Sequence, residues 1–107
     1  MSGWVEATAL LHWAAHHHNT FLWYYVYLQV QIIQNEVLGV TTEECEAALA
    51  NQHWSLEHAI KYLKIEQLFR LGIAARPHCK QMLERCNGDL ERAGSLLIDE
   101  MANGSAV

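Results

Sequence analysis

The chain has 107 residues, about half of them apolar, which is room for one small domain or two very small units sharing a core. Its net charge of −5 is uneven: residues 1–60 hold six carboxylates and no Lys or Arg, while all seven basic side chains lie from Lys61 onward among six acids. Nucleic acid is excluded as a partner, because binding a phosphate backbone depends on a stripe of Lys and Arg that displaces counterions.

Residues 1–26 differ in character from the remainder of the chain. They hold Trp4, Trp13 and Trp23, the run His16-His17-His18, and Trp23-Tyr24-Tyr25, with no clear cap or loop signal. Ala7–Ala15 suits a helix, whereas the aromatic and β-branched stretch Phe21–Leu28 favours an extended state by propensity. The segment 1–26 therefore carries no assignment. Between Leu28 and Gln34 alternation suggests a strand, yet Val26, Val30, Ile33 and Val37 follow helical spacing equally well. The apolar run Phe21–Ile33 is broken by Gln29 and Gln31 and is too short to span a bilayer. No cleavable signal precedes it, so the expectation is a soluble, intracellular chain without membrane insertion.

From Gly39 onward the signals agree. Thr41 with Glu44 three positions later is a capping box, and Cys45, Ala48 and Leu49 form an apolar stripe ending near Asn51. Ser55 is the next N-cap. Leu56, Ala59, Ile60 and Leu63 sit at i, i+3, i+4 and i+7, and the helix is expected to reach about Arg70, where Gly72 ends it. Arg76-Pro77 opens a further helix with proline in its first turn, Cys79, Met82, Leu83 and Cys86 face its core, and Asn87-Gly88 closes it. Asp89 caps the last helix, whose core residues are Leu90, Ala93, Leu96 and Leu97, and Ala102–Val107 is expected to fray. The fold class is all-α: a compact bundle of four well-signalled helices and a fifth before Gly39.

Part of this pattern is written twice. Cys45, Leu49, Trp54, Leu56, Ala59 and Leu63 are each matched 34 positions later by Cys79, Leu83, Gly88, Leu90, Ala93 and Leu97. Leu38-Gly39-Val40 and Leu71-Gly72-Ile73 precede the two copies. A repeated helical hairpin that starts at a glycine turn suggests a binding module more than a catalytic pocket.

These residues resemble the ubiquitin-associated (UBA) domain, whose pattern has a Met-Gly-Phe-like loop after helix 1, an Ala-Leu pair ending helix 2, and an Ala-x-x-x-Leu helix 3. Leu38-Gly39-Val40, Ala48-Leu49 and Ala59 to Leu63 stand in those places. More specifically, Gly39-Val40-Thr41-Thr42-Glu43-Glu44-Cys45, Ala47-Ala48-Leu49 and Tyr62 to Phe69 are similar to the C-terminal UBA region of the ACK family of cytoplasmic non-receptor tyrosine kinases. The resemblance covers roughly residues 27–100 and makes 27–37 helix 1. The kinase, SH3 and small-GTPase-binding regions of that family are not in this chain. It also implies two UBA-like units, 27–66 and 56–101, sharing a helix within a domain of residues 27–101, with 102–107 as a tail.

The family meets a shallow apolar patch of ubiquitin with its glycine loop and the end of helix 3. Carried over, the resemblance implies one surface of Leu38, Gly39, Val40, Leu63 and Lys64, and a second of Leu71, Gly72, Ile73, Leu97 and Ile98. Both loops lack the family's Met and aromatic residue, and Lys64 replaces a residue that is often apolar. The implied partners are ubiquitin or polyubiquitin, bound weakly, with self-association as a further expectation. The plainer reading of Leu38, Val40, Leu71 and Ile73 is that they plug the core between helices, and the competing function is a helical interaction or dimerisation bundle that does not bind ubiquitin.

Sharper chemistry finds little support. His12 and His16 at i, i+4 have no nearby cysteine or clustered carboxylates to complete a metal site, so neither metal nor other cofactor is expected. Cys45, Cys79 and Cys86 are odd in number, lack metal-ligand spacing, and read as small buried hydrophobes. Cys79 beside His78 cannot act as a nucleophile–base pair, because adjacent residues on a helix do not face each other. With only Arg76, Lys80, Arg85 and Arg92 available to a phosphate backbone, a helix-turn-helix reading fails as well. The chain by itself is not expected to be an enzyme.

Overall fold

A computed structural model describes residues 20–105, and for 20–22 and 105 the backbone only. Ala7–Ala15, His12 and His16-His17-His18 lie outside the described residues. The element order is α1 (Thr20–Glu36), α2 (Thr42–Asn51), α3 (Leu56–Phe69), α4 (Arg76–Arg85) and α5 (Leu90–Ser105). All five elements among the described residues are helices.

The aromatic run is helical from Thr20 onward, against its extended-state propensity. The reason is burial: Val26, Val30, Ile33 and Val37, the four residues at helical spacing, all lie in the core. A strand would bury only alternate residues, and β propensity is weak enough for packing to override it. At the other end α5 runs to Ser105, into the stretch expected to fray.

The described residues divide within α3, one unit ending at Leu63 and the other starting at Lys64. The first core gathers Val26, Val30 and Ile33 of α1, Val37 and Val40 of the loop after it, then Cys45, Ala48 and Leu49 of α2, and Ala59 and Leu63 of α3. In the second, Leu68 of α3 joins Cys79, Met82 and Leu83 of α4, Cys86, and Ala93 and Leu97 of α5. All three cysteines are free and buried. Burial first, then Glu44 and Glu46, pushes the Cys45 thiol up, and burial does the same to Cys79. Both sulfurs are thereby held away from the reactive thiolate.

The turns follow the repeat closely. Trp54 N–H donates to the Leu49 carbonyl at 2.7 Å, and its counterpart Gly88 N–H donates to the Leu83 carbonyl at 2.9 Å. His53 and Trp54 have φ of 58° and 61°, and Asn87 and Gly88 have 54° and 82°. The second copy thus places Asn-Gly where left-handed backbone is needed, while the first holds a bulky aromatic there at a conformational cost. Packing offsets that cost, since the half-buried Trp54 ring rests on the first core. Each following helix is capped alike: His58 N–H donates to Ser55 Oγ at 3.3 Å, and Arg92 N–H donates to Asp89 Oδ1 at 3.1 Å. The capping box is formed as expected, with Glu44 N–H on Thr41 Oγ1 and Thr41 N–H on Glu44 Oε1.

One long-range ion pair helps tie α4 to the end of α3. Arg76 donates from Nε to Glu66 Oε2 at 2.7 Å and from Nη2 to Oε1 at 3.0 Å, while its guanidinium lies 3.9 Å from the Phe69 ring centroid. The hydrogen bond from Arg76 holds the Glu66 carboxyl below the usual glutamate range, against an opposing effect of burial. A depressed carboxylate adds stability that is complete above the unfolded-state value and lost as pH falls through the folded one. Arg76→Gln should therefore cost about 0.5–1 kcal/mol at neutral pH, an exposed pair being screened by solvent. The deficit should shrink below the usual glutamate range, as read from denaturant midpoints at several pH values. Trp54→Ala should cost about 2 kcal/mol through lost ring packing, the relief of left-handed strain being small. Thermal unfolding followed by circular dichroism measures it.

Candidate functional site

The two glycine loops are built from the same constraint and present different surfaces. Gly39 has φ of 87° and Gly72 of 74°, left-handed values that glycine reaches without penalty. Both are exposed, and a Cβ on either would meet nothing within 4 Å. Conformation, rather than crowding, requires glycine in both loops.

Around Gly39 the flanking residues part company. Leu38 is 78% exposed, whereas Val40 is buried in the first core, its carbonyl accepting from Gln34 Nε2 at 3.2 Å. Leu63 is buried in that core too. Of this expected surface within the first unit, only Leu38 offers apolar side-chain area, beside the bare Gly39 backbone. Lys64 belongs to the second unit, where its ammonium donates to the Gly88 carbonyl at 2.6 Å. That bond satisfies the Asn87-Gly88 turn and fixes the lysine stem.

Around Gly72 a larger surface is assembled. Leu71 is 49% and Ile98 48% exposed, and both line an open groove of about 300 Å³ with Gln67, Leu68, Leu90 and Gly94. Ile73 packs partly buried against the second core, and Leu97 is fully buried within it. The pair Leu97-Ile98 therefore splits between core and surface, as adjacent helical residues must when one faces inward.

Leu90 and Gly94 are not among the expected site residues. Their spacing with Ile98, i, i+4 and i+8, places the three on one face of α5 and is the signal that could have found them. Gly94 sets the depth of the groove: a Cβ there would lie 3.8 Å from Leu68 Cδ2 and 3.9 Å from Leu71 Cδ1. These are ordinary contacts, so alanine fits, while a larger side chain would fill the groove. Glu91 and Ser95 supply a polar rim. Nothing in this arrangement pairs a nucleophile with a base; it offers shallow apolar area at a backbone turn. Because Gly94 lies inside α5 and costs helix stability, Gly94→Ala should stabilise the protein by about 0.5–1 kcal/mol. Denaturant unfolding of the two forms tests this.

The family model described as Tyrosine-protein kinase TNK1/sid3, UBA domain matches residues 28–97. Among curated proteins, the chain is 35% identical over 66 residues to mouse non-receptor tyrosine-protein kinase TNK1, covering 62% of this chain and 10% of the relative. To human TNK1 it is 37% identical over 73 residues, covering 66% of this chain and 11% of that protein. To Drosophila melanogaster Activated Cdc42 kinase Ack it is 35% identical over 69 residues, covering 64% and 6%. The chain thus spans about a tenth or less of these relatives. No solved structure matches significantly.

Proposed function

The chain belongs to the UBA family of the TNK1/sid3 tyrosine kinases, and we propose that it is a non-catalytic ubiquitin-recognition module of such a kinase. The observation that carries this reading is the groove at Gly72, where Leu71 and Ile98 stand exposed beside a bare glycine turn over the open floor at Gly94. An exposed glycine backbone lets a partner approach closely, and the two aliphatic side chains give it apolar area to cover. The Leu38-Gly39 loop is a second, smaller point of contact. Leu38 supplies its apolar area, since Val40 and Leu63 are committed to the core.

A contact of this size falls below about 1,200 Å² in total, so a single ubiquitin binds weakly, in the micromolar range or above. Linked ubiquitin chains then raise the working affinity by avidity. The module acts in the cytoplasm with its kinase. Among the described residues no helix is long and apolar enough to cross a membrane.

The test is a titration of the isotopically labelled full chain with unlabelled monoubiquitin, followed by NMR. Shifts should concentrate at Leu71, Gly72, Gly94 and Ile98, with smaller ones at Leu38 and Gly39. Leu71→Ala and Ile98→Ala should each weaken binding by about tenfold. Shifts confined to Leu38 and Gly39 would move the site to the first loop. A folded sample that shows no shifts with mono- or tetraubiquitin at about millimolar binding sites, beyond the weak regime expected for so small a contact, would leave a helical interaction bundle as its role.

A further inference from the structure

Among the described residues, the outer face of α1 is an apolar feature that ubiquitin recognition leaves unused. No charged residue occurs from Thr20 to Asn35. While Val26, Val30 and Ile33 fill the core, six large side chains of the same helix stay in solvent: Trp23, Tyr24, Tyr25, Tyr27, Leu28 and Ile32 are 40–60% exposed. Tyr24, Leu28 and Ile32 fall at i, i+4 and i+8, a stripe opposite the core, and the Tyr24 and Tyr27 rings stack with centroids 6.2 Å apart. The exposed Gln31 and Asn35 are the polar residues on that side, and a helix face otherwise this apolar is normally covered by something.

We infer that this face is a homodimer interface, in which α1 of two copies packs antiparallel across a twofold axis near Leu28. Area is the first argument. Partly exposed aromatics and two aliphatics of this size give on the order of 500 Å² per copy, near the upper end for a patch on a monomer. Two such faces together reach about 1,000 Å², the lower bound of a specific interface. The second argument is charge. A second copy of a charge-free face is complementary to it, whereas an anionic partner surface gains nothing and a lipid headgroup layer finds no basic side chain in residues 1–60. Antiparallel packing about Leu28 also sets Tyr24 of one copy against Ile32 of the other. It separates the two Glu36 side chains by about sixteen residues of helix, roughly 24 Å, beyond the screening length at physiological salt.

The interface is independent of ubiquitin binding and fails or stands separately from it. Sedimentation velocity of the full 107-residue chain, from about 5 to 200 µM, reads it directly. A reversible monomer–dimer equilibrium is expected. Leu28→Glu, which brings two carboxylates together at the axis, should raise the dissociation constant by about a hundredfold or more with unchanged helical circular dichroism. If that variant loses helicity, Tyr24→Lys, at the most exposed of the six positions, carries the same expectation. A wild-type chain that stays monomeric throughout, as it would if residues 1–19 covered this face, would overturn the proposal. So would an unchanged dimer in a folded Leu28→Glu or Tyr24→Lys variant, or growth beyond the dimer with rising concentration.

Discussion

One helix feeds both hydrophobic cores, and the rest of the described structure depends on it. The 14 residues of α3 contain neither glycine nor proline and run unbroken from Leu56 to Phe69. Ala59 and Leu63 complete the first core, while Leu68, with Ile65 and Phe69 packed beside it, completes the second. Units of this length are near the lower limit for stable folding, because too little of the chain's surface is removed from water. A stripe that serves two cores raises the buried apolar area per residue ordered. This is the property on which a small, disulfide-free bundle depends.

The same constraint shapes the candidate surfaces. Where α3 must supply the core, Leu63 is not available for binding, and Lys64 is drawn to the Gly88 carbonyl. In the two candidate loops, apolar side chains reach solvent where a glycine turn releases the backbone from helical packing, at Leu38 and at Leu71. Ile98 adds to the second of these because Leu97, its neighbour on α5, takes the inward position.

Much of the fold is legible in local chemistry. Thr41 with Glu44, Pro77, Asp89 and the three glycines at Gly39, Gly72 and Gly88 punctuate the chain by satisfying or releasing backbone groups, which depends little on tertiary context. The aromatic stretch before Val26 misleads because β propensity is a weak preference that burial of Val26 and Val30 overrides. Of the candidate site, both loops can be found from their glycines. Which flanking residue faces outward cannot, because Leu38 and Val40 are equally apolar. The bond from Lys64 to Gly88 spans 24 residues and leaves no local trace. Gly94 reads locally as a weak point in a helix, and only its contacts with Leu68 and Leu71 give it a place in the groove.

Native-state hydrogen exchange across α3 tests the shared helix most directly. If one helix completes both cores, the amides from Ala59 to Leu68 open together at the global unfolding free energy, and none in α2 or α4 is better protected. Exchange that splits at Leu63/Lys64 into two sets with different opening energies would contradict it, and would make the two units independent folding bodies.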